Sequence, residues 1–143
     1  MTGPGTCHLV FRLEGVVTRT ESGARRVTPG MGELLKELSS DFKMWLFCEG
    51  AEEELAPILE GLELERVIPR IRWLFASELF RADMPGKLVR QLVRRTAARR
   101  EDLLWIDDRP SVTAGVIRAG MNAAVFVDAF RLRRNLALRG LVK

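Results

Sequence analysis

Histidine and cysteine are scarce in this chain, which has one histidine, His8, and two cysteines, Cys7 and Cys48. A zinc site of cysteine and histidine, or a nucleophilic triad built on histidine, needs more of these residues at suitable spacing. Cys7 begins the first predicted strand and Cys48 ends the second. In a parallel sheet their thiols would lie at opposite ends and could not form a disulfide. The sequence therefore excludes all three arrangements.

Long apolar runs are also missing, since no segment approaches the roughly 20 apolar residues that a membrane-spanning helix needs. The first ten residues, MTGPGTCHLV, lack the basic and apolar regions of a signal peptide. A hydrophobic fraction of 47% and a charged fraction of 29% are typical of a soluble globular protein. We therefore expect a single cytoplasmic domain over residues 1–143, without membrane contact.

Strand and helix patterns alternate along the chain. Five strands are predicted, over residues 7–13, 43–48, 71–76, 103–106 and 123–127. Helices are predicted over residues 28–40, 51–62, 87–98, 111–119 and 130–139, with a turn or hairpin over 16–27 and a loop over 80–86. This order predicts an α/β, Rossmann-like three-layer sandwich, with about five parallel strands and helices on both faces.

Three residues predict where the first two helices begin or bend. Thr28 and Pro29 are expected to cap and begin the first helix, because threonine is a good N-cap and proline suits the first helical position. Pro57 falls inside the second helix, so a kink or a later start is expected there. Glu49 is a candidate cap for that second helix.

Charge is unevenly distributed along the chain. Residues 1–65 contain 6 basic and 12 acidic side chains, whereas residues 66–143 contain 17 and 7. Two interpretations remain open: solvated faces of one domain, or a basic surface that binds an acidic protein partner or nucleic acid. We favour a protein partner, because no aromatic side chain interleaves with Arg90, Arg94 and Arg95 of the basic helix as base-stacking modules require.

Charged residues follow two of the predicted strands. Arg12 and Glu14 lie at the end of the first strand, and Asp107 and Asp108 lie at the end of the fourth. Ligands of open parallel sheets bind at the carboxyl ends of the strands. Paired aspartates there can hold Mg²⁺, although an aspartate in this position also commonly caps the next helix.

Together these strand ends resemble the motifs of the haloacid dehalogenase-like superfamily of phosphohydrolases. That family's first motif is an apolar strand followed by D-x-D-G-V-x-T, and residues 12–18 here read RLEGVVT. Its fourth motif is an apolar strand that ends in two acidic residues, as at Asp107 and Asp108. The resemblance implies that Cys48 occupies the phosphate-binding Ser/Thr position and that Lys87 or Arg81 occupies the lysine position. It also implies that the family's cap domain is absent, because the connections are short.

The departures from these motifs bear on activity. The resemblance places Arg12 at the position of the nucleophilic aspartate, and an arginine has no lone pair to offer. Glu14 takes the acid/base position with one extra methylene, and Cys48 is a poorer hydrogen-bond donor than serine. Loss of the first aspartate removes a metal ligand, which leaves Asp107 and Asp108 as a vestigial or weak Mg²⁺ site. We hypothesise that the Arg12 guanidinium replaces the cation and pairs with Asp107, Asp108 or Glu14.

Three functions follow from this comparison. The favoured one is a catalytically degenerate domain, a pseudophosphatase, which acts as a scaffold or protein-binding module and needs no cofactor. The second is a Mg²⁺-dependent phosphohydrolase with an atypical site, including one that uses Cys48 as its nucleophile. The third is nucleic-acid binding through the arginine-rich helices.

Overall fold

The structure is a computed structural model that describes residues 6–76 and 84–143. The strands within these ranges are β1 (His8–Arg12), β2 (Thr18–Glu21), β3 (Ala24–Val27), β4 (Lys43–Glu49), β5 (Trp73–Ala76), β6 (Leu103–Asp107) and β7 (Asn122–Val125). The α-helices are α1 (Met31–Leu38), α2 (Glu52–Gly61), α3 (Pro85–Thr96), α4 (Pro110–Arg118) and α5 (Ala129–Leu138). Most of the predicted loop over residues 80–86 lies outside the described residues.

Five of the strands form one parallel sheet in the order β5-β4-β1-β6-β7. β1 is the central strand, and its three inward-facing apolar residues, Leu9 to Phe11, are fully buried. β2 and β3 form a separate antiparallel hairpin, as the polar pattern of residues 16–27 predicts. The sheet confirms the predicted α/β class.

Helices cover both faces of the sheet and enclose two apolar cores. α1, α2 and α5 pack on one face, where Leu35, Leu59 and Leu136 are fully buried. α3 and α4 pack on the other face, where Leu92 and Val116 are fully buried. These apolar positions recur at helical spacing, which explains why each helix turns one stripe toward the sheet. The three-layer sandwich is therefore confirmed, and the described ranges contain no inserted cap domain.

The predicted cap of the first helix is wrong. α1 begins at Met31, and its N-cap is Gly30 in the left-handed conformation, with φ +81°. The Thr28 amide donates to the Val17 carbonyl at 2.8 Å, so Thr28 still belongs to the connection that leaves the hairpin. The chain turns only at Gly30, where a residue without a Cβ reaches positive φ at little cost.

Other boundaries differ by a few residues. β5 begins at Trp73 rather than at residue 71, because residues Arg70–Arg72 form a turn of 3₁₀ helix. α2 runs from Glu52 through Pro57 to Gly61, which confirms the predicted helix and rules out the alternative of a later start at Pro57. The N-cap of α2 is Ala51, without a side-chain hydrogen bond, so Glu49 does not cap it. Among the described residues, no helix is long and apolar enough to cross a bilayer.

Candidate functional site

The last residues of the three central strands meet at one edge of the sheet. Arg12 ends β1, Glu49 ends β4 and Asp107 ends β6. β1 pairs with β4 on one side and with β6 on the other, and all three run parallel. The strand order therefore reverses beside β1, and this is the position at which open α/β sheets bind ligands.

Arg12 lies between carboxylates from two other segments. Its Nε donates to Oε1 of Glu49 at 2.5 Å, and its Nη1 donates to Oδ1 of Asp108 at 3.0 Å. Nη1 also donates to the backbone carbonyl of Glu14 at 2.5 Å. Only 16% of the Arg12 side chain is exposed. The structure thus shows the hypothesised pairing with Asp108, whereas Asp107 and the Glu14 carboxylate have other partners.

Asp107 is fully buried and is held by Arg109. Its Oδ1 accepts hydrogen bonds from the Arg109 amide and Nε, both at 3.0 Å. Its Oδ2 accepts from Arg109 Nη2 at 2.9 Å and from Trp105 Nε1 at 3.0 Å. Burial by itself would raise the pKa of Asp107, but the hydrogen bonds and charge of Arg109 outweigh it and lower that pKa below its ordinary value. Asp107 is therefore an ionised carboxylate at neutral pH.

Glu49 joins these two arginine sites. Its Oε1 contacts Arg12, and its Oε2 lies 3.6 Å from Nη1 of Arg109. Asp107, Arg109, Glu49, Arg12 and Asp108 thus form a chain of alternating charges across β4, β1 and β6, which we call the guanidinium network. Attraction between neighbouring opposite charges in this network offsets the free-energy cost of removing the charged groups from water.

The hairpin of β2 and β3 brings a third arginine to this edge. Arg25 Nη1 lies 2.9 Å from Oε1 of Glu14, an ion pair whose angles are not those of a hydrogen bond. An open pocket of about 200 Å³ lies beneath the hairpin, lined by Arg12, Leu13, Glu14, Arg25, Glu49 and Leu55. The Glu14 carboxylate therefore faces this pocket already neutralised by a cation.

Cys48 is close to the network in sequence but belongs to the apolar core. Its side chain is fully buried, and its Sγ donates to the Leu46 carbonyl at 3.8 Å. Burial raises the pKa of the Cys48 thiol to about 12, although the charge of Arg25 opposes that shift. A thiol with this pKa supplies almost no thiolate at neutral pH.

Of the two candidates for the lysine position, the structure describes only Lys87. Lys87 lies in the first turn of α3, and within the described residues no ion pair or hydrogen bond joins its ammonium group to the guanidinium network. Arg81 lies outside the described residues. The structure thus brings together Arg12, Glu14 and Asp108, and the assignment of Lys87 to the lysine position stays a prediction.

The donor set of this site does not fit Mg²⁺ in the arrangement observed. Both oxygens of Asp107 and one oxygen of Asp108 accept hydrogen bonds from guanidinium groups. Hard divalent cations need several free carboxylate or carbonyl oxygens around one point. In residues 6–76 and 84–143, no group of three or more acidic, histidine or cysteine side chains is placed to hold a metal ion.

Two members of this site were not identified from the sequence as part of it. Glu49 directly follows the predicted second strand, so parallel pairing with the first strand was a usable signal for its position beside Arg12. Arg25 carried no such signal, because its contact with Glu14 depends on how the hairpin folds back over the strand end. Arg109 forms an ion pair with the neighbouring Asp107. A basic residue next to two aspartates in the sequence is well placed for such a pair.

Solved structures with the same architecture identify the fold. A haloacid dehalogenase-like family hydrolase from Streptococcus pneumoniae matches with a TM-score of 0.66 at 11% identity, over 85% of each chain. The chain has a haloacid dehalogenase-like fold. An uncharacterised protein from Corynebacterium glutamicum shares this haloacid dehalogenase-like architecture, with a TM-score of 0.71 at 19% identity, over 96% of this chain and 98% of the other.

A phosphatase also has this haloacid dehalogenase-like fold. The D,D-heptose 1,7-bisphosphate phosphatase of B. bronchiseptica, solved with magnesium and phosphate, matches with a TM-score of 0.64 at 14% identity, over 92% of this chain and 86% of the other. No family model and no curated protein matches the chain by sequence. At such identities the comparison establishes the architecture, and the chemistry depends on the side chains present.

Proposed function

We propose that this chain is a catalytically inactive haloacid dehalogenase-like domain that serves as a scaffold or protein-binding module. The observation that carries the proposal is the position of Arg12 at the end of the central strand, bonded to Glu49 and Asp108. If the fold's usual nucleophile occupies this position, a guanidinium group now stands there. A guanidinium remains protonated and cannot attack phosphorus.

The neighbouring groups support the same proposal. Asp107 is bonded at both oxygens by Arg109, so it has little capacity left to bind a cation. Glu14 is paired with Arg25, so its carboxylate already has a cation as partner. These contacts leave a site whose charges are satisfied by its own side chains.

Cys48 does not supply an alternative nucleophile in this proposal. Its buried thiol, with a pKa of about 12, is far from the lowered range that reactive cysteines show. We therefore place Cys48 in the apolar core rather than in a catalytic role.

The test is hydrolysis of p-nitrophenyl phosphate with Mg²⁺ by the wild type, Arg12→Asp and Arg12→Asn. We expect the wild type and Arg12→Asn to be inactive, because neither has a carboxylate at position 12. Arg12→Asn is the matched control, since it removes the same cation without adding a nucleophile.

Activity in the wild type above that of heat-denatured protein would overturn the proposal and favour the atypical phosphohydrolase. Activity in Arg12→Asp alone would show that Arg12 is the block in an otherwise competent site. If none of the three proteins hydrolyses the substrate, the catalytic site has lost more than its nucleophile, and the changes at Glu14 and Cys48 also contribute.

A further inference from the structure

A row of cations lies along the solvent side of α3. Lys87, Arg90 and Arg94 occupy positions i, i+3 and i+7 of this helix, so at 3.6 residues per turn they fall within about 60° of one another. Leu88 and Leu92 lie on the opposite, buried side. We call these three cations the α3 stripe.

The charges of the α3 stripe are not neutralised within the described parts of the chain. None of its three side chains takes part in an ion pair there, whereas Arg99, just beyond the helix, pairs with Asp102 at 3.0 Å. The sequence of α3, PGKLVRQLVRRT, contains no acidic residue. The stripe thus differs from the ion-paired arginines of the guanidinium network.

The α3 stripe opposes the stability of its own helix. Like charges at i,i+3 and i,i+4 cost about 0.2–0.5 kcal/mol per pair. Lys87 also lies in the first turn, where the helix dipole favours anions instead of cations. Helix stability therefore gives no reason for this pattern, whereas recognition of an acidic surface does.

Arg118 of α4 extends the basic surface beside the start of α3. The two helices are in close contact, since a Cβ built on Gly115 of α4 would lie 2.5 Å from Pro85 Cγ of α3. The same Cβ would lie 3.9 Å from Arg118 Nη2, which places that guanidinium near the contact. Arg118 is exposed and, like the stripe, forms no ion pair within the described residues. Three exposed arginines and the partly buried Lys87, from two helices, therefore form one basic surface.

We propose that the α3 stripe and Arg118 bind an acidic helix of a partner protein. This inference rests on the proposed scaffold function and names the surface through which it acts. Carboxylates at i, i+3 and i+7 of a partner helix would repeat with the same rise as the α3 stripe, about 10 Å from end to end. Such a helix would also cancel the repulsion among the three cations.

The same observations favour a protein over a nucleic acid. Residues 85–96 contain no aromatic side chain on which a base could stack. A stripe about 10 Å long contacts few phosphates, and the electrostatic binding of nucleic acid grows with the number of phosphates neutralised.

The experiment uses two fluorescein-labelled, alanine-based helical peptides of identical composition. One carries its glutamates at i, i+3 and i+7 on a single face, and the other carries them around the whole helix. Fluorescence anisotropy at low ionic strength measures the affinity of the full chain for each peptide. We expect the one-faced peptide to bind about tenfold more tightly, because only it aligns several ion pairs at once.

Matched variants locate the binding surface. We expect Arg90→Glu/Arg94→Glu to abolish the preference for the one-faced peptide and Arg90→Gln/Arg94→Gln to reduce it. Arg26→Glu/Arg134→Glu changes the net charge as much as the first variant at two exposed positions away from α3, and it should keep the preference. Circular dichroism of each variant confirms that α3 remains folded.

Several results would overturn the inference. One is equal loss of binding in Arg90→Glu/Arg94→Glu and Arg26→Glu/Arg134→Glu, which would indicate only net charge. Another is tighter, stripe-dependent binding of a labelled DNA duplex, which would make this a nucleic-acid surface. A third is self-association in sedimentation velocity that Arg90→Glu/Arg94→Glu removes, which would make a second copy the occupant.

The phosphatase assay tests the proposed inactive scaffold, and the peptide experiment tests the assignment of the α3 stripe, so either can be contradicted while the other stands. An active wild-type enzyme would contradict the proposed inactive scaffold while the peptide preference stands. An inactive enzyme without any peptide preference would contradict only the assignment of the α3 stripe.

Discussion

Asp107 shows how one side chain can be both deeply buried and charged. Its carboxylate is fully buried yet accepts four hydrogen bonds, three from Arg109 and one from Trp105. An unpaired carboxylate in such a place would cost several kcal/mol, which a hydrogen-bonded cation offsets. Asp107 and Arg109 therefore act as one unit. Removal of Arg109 leaves the buried carboxylate without a cation, and removal of Asp107 leaves Arg109, within the described residues, only its longer contact with Glu49, at 3.6 Å.

We predict that Asp107→Asn lowers the free energy of unfolding by about 3 kcal/mol at pH 7, because it removes the anion that Arg109 binds most closely. The folded pKa of Asp107 is lowered, so its contribution is present above the unfolded pKa of about 3.9 and disappears as pH falls through the folded value. Urea unfolding between neutral and acidic pH should therefore show a shallower acid loss in the variant than in the wild type.

Glu37→Gln is the control for that measurement. The pKa of Glu37 is also lowered, by its hydrogen bond to Arg133, but this pair is exposed to water and its effect on stability should be smaller. An equal decrease in the free energy of unfolding in both variants would show that burial of Asp107 does not strengthen its ion pair.

Gly15 sets the approach of Asp108 to the end of β1. Its φ is +90°, and a Cβ there would lie 2.4 Å from Oδ2 of Asp108. We predict that Gly15→Ala lowers the free energy of unfolding by about 2–3 kcal/mol, from strain at positive φ and displacement of Asp108. Gly23→Ala has a similar φ of +79° with nothing within 4 Å, so it should show the smaller loss due to strain alone. If thermal unfolding shows equal losses of stability in Gly15→Ala and Gly23→Ala, the close approach of Asp108 to Gly15 does not contribute.

At the scale of the elements, hydrophobic periodicity predicted the strands and helices because each buries one stripe or one run of apolar side chains. The boundaries that failed depend on contacts remote in sequence. Thr28 does not cap α1 because its amide is bonded to Val17, before the hairpin, and the helix begins only after Gly30. Likewise, the sequence placed Arg12 and Asp108 at one edge of the sheet, but which carboxylate each arginine binds depends on side-chain geometry that no local pattern encodes.

The contact between α3 and α4 depends on the absence of a side chain at Gly115. A Cβ there would lie 2.5 Å from Pro85 Cγ, so we predict that Gly115→Ala separates the helices and destabilises the fold by about 1–2 kcal/mol. The control is Gly32→Ala in α1, where a Cβ meets nothing within 4 Å. That change should stabilise the fold by about 0.5–1 kcal/mol, because alanine favours helix. The two variants should thus shift the melting temperature in opposite directions, and a common sign would contradict the tight helix contact.

At the scale of the whole molecule, the guanidinium network connects the ends of the three central strands through ion pairs between their own side chains. Arg12 reaches Glu49 at the end of β4 and Asp108 beyond β6 from the end of β1. In a sheet whose strand ends carry only carboxylates, repulsion at this edge would have to be relieved by a cation from solution. Here the Arg12 guanidinium supplies positive charge between two of these carboxylates.

The melting temperature should therefore depend on Mg²⁺ only where the Arg12 guanidinium has been removed. The wild type should melt at the same temperature in EDTA and in excess Mg²⁺, because Arg12 already neutralises the edge. Arg12→Asp should melt lower in EDTA, where three carboxylates face one another, and should gain about 9 °C when Mg²⁺ is roughly 100-fold above its dissociation constant. Arg12→Asn adds no carboxylate and should gain less. A Mg²⁺-dependent rise in the wild type equal to that of Arg12→Asp would show that the guanidinium does not replace the ion.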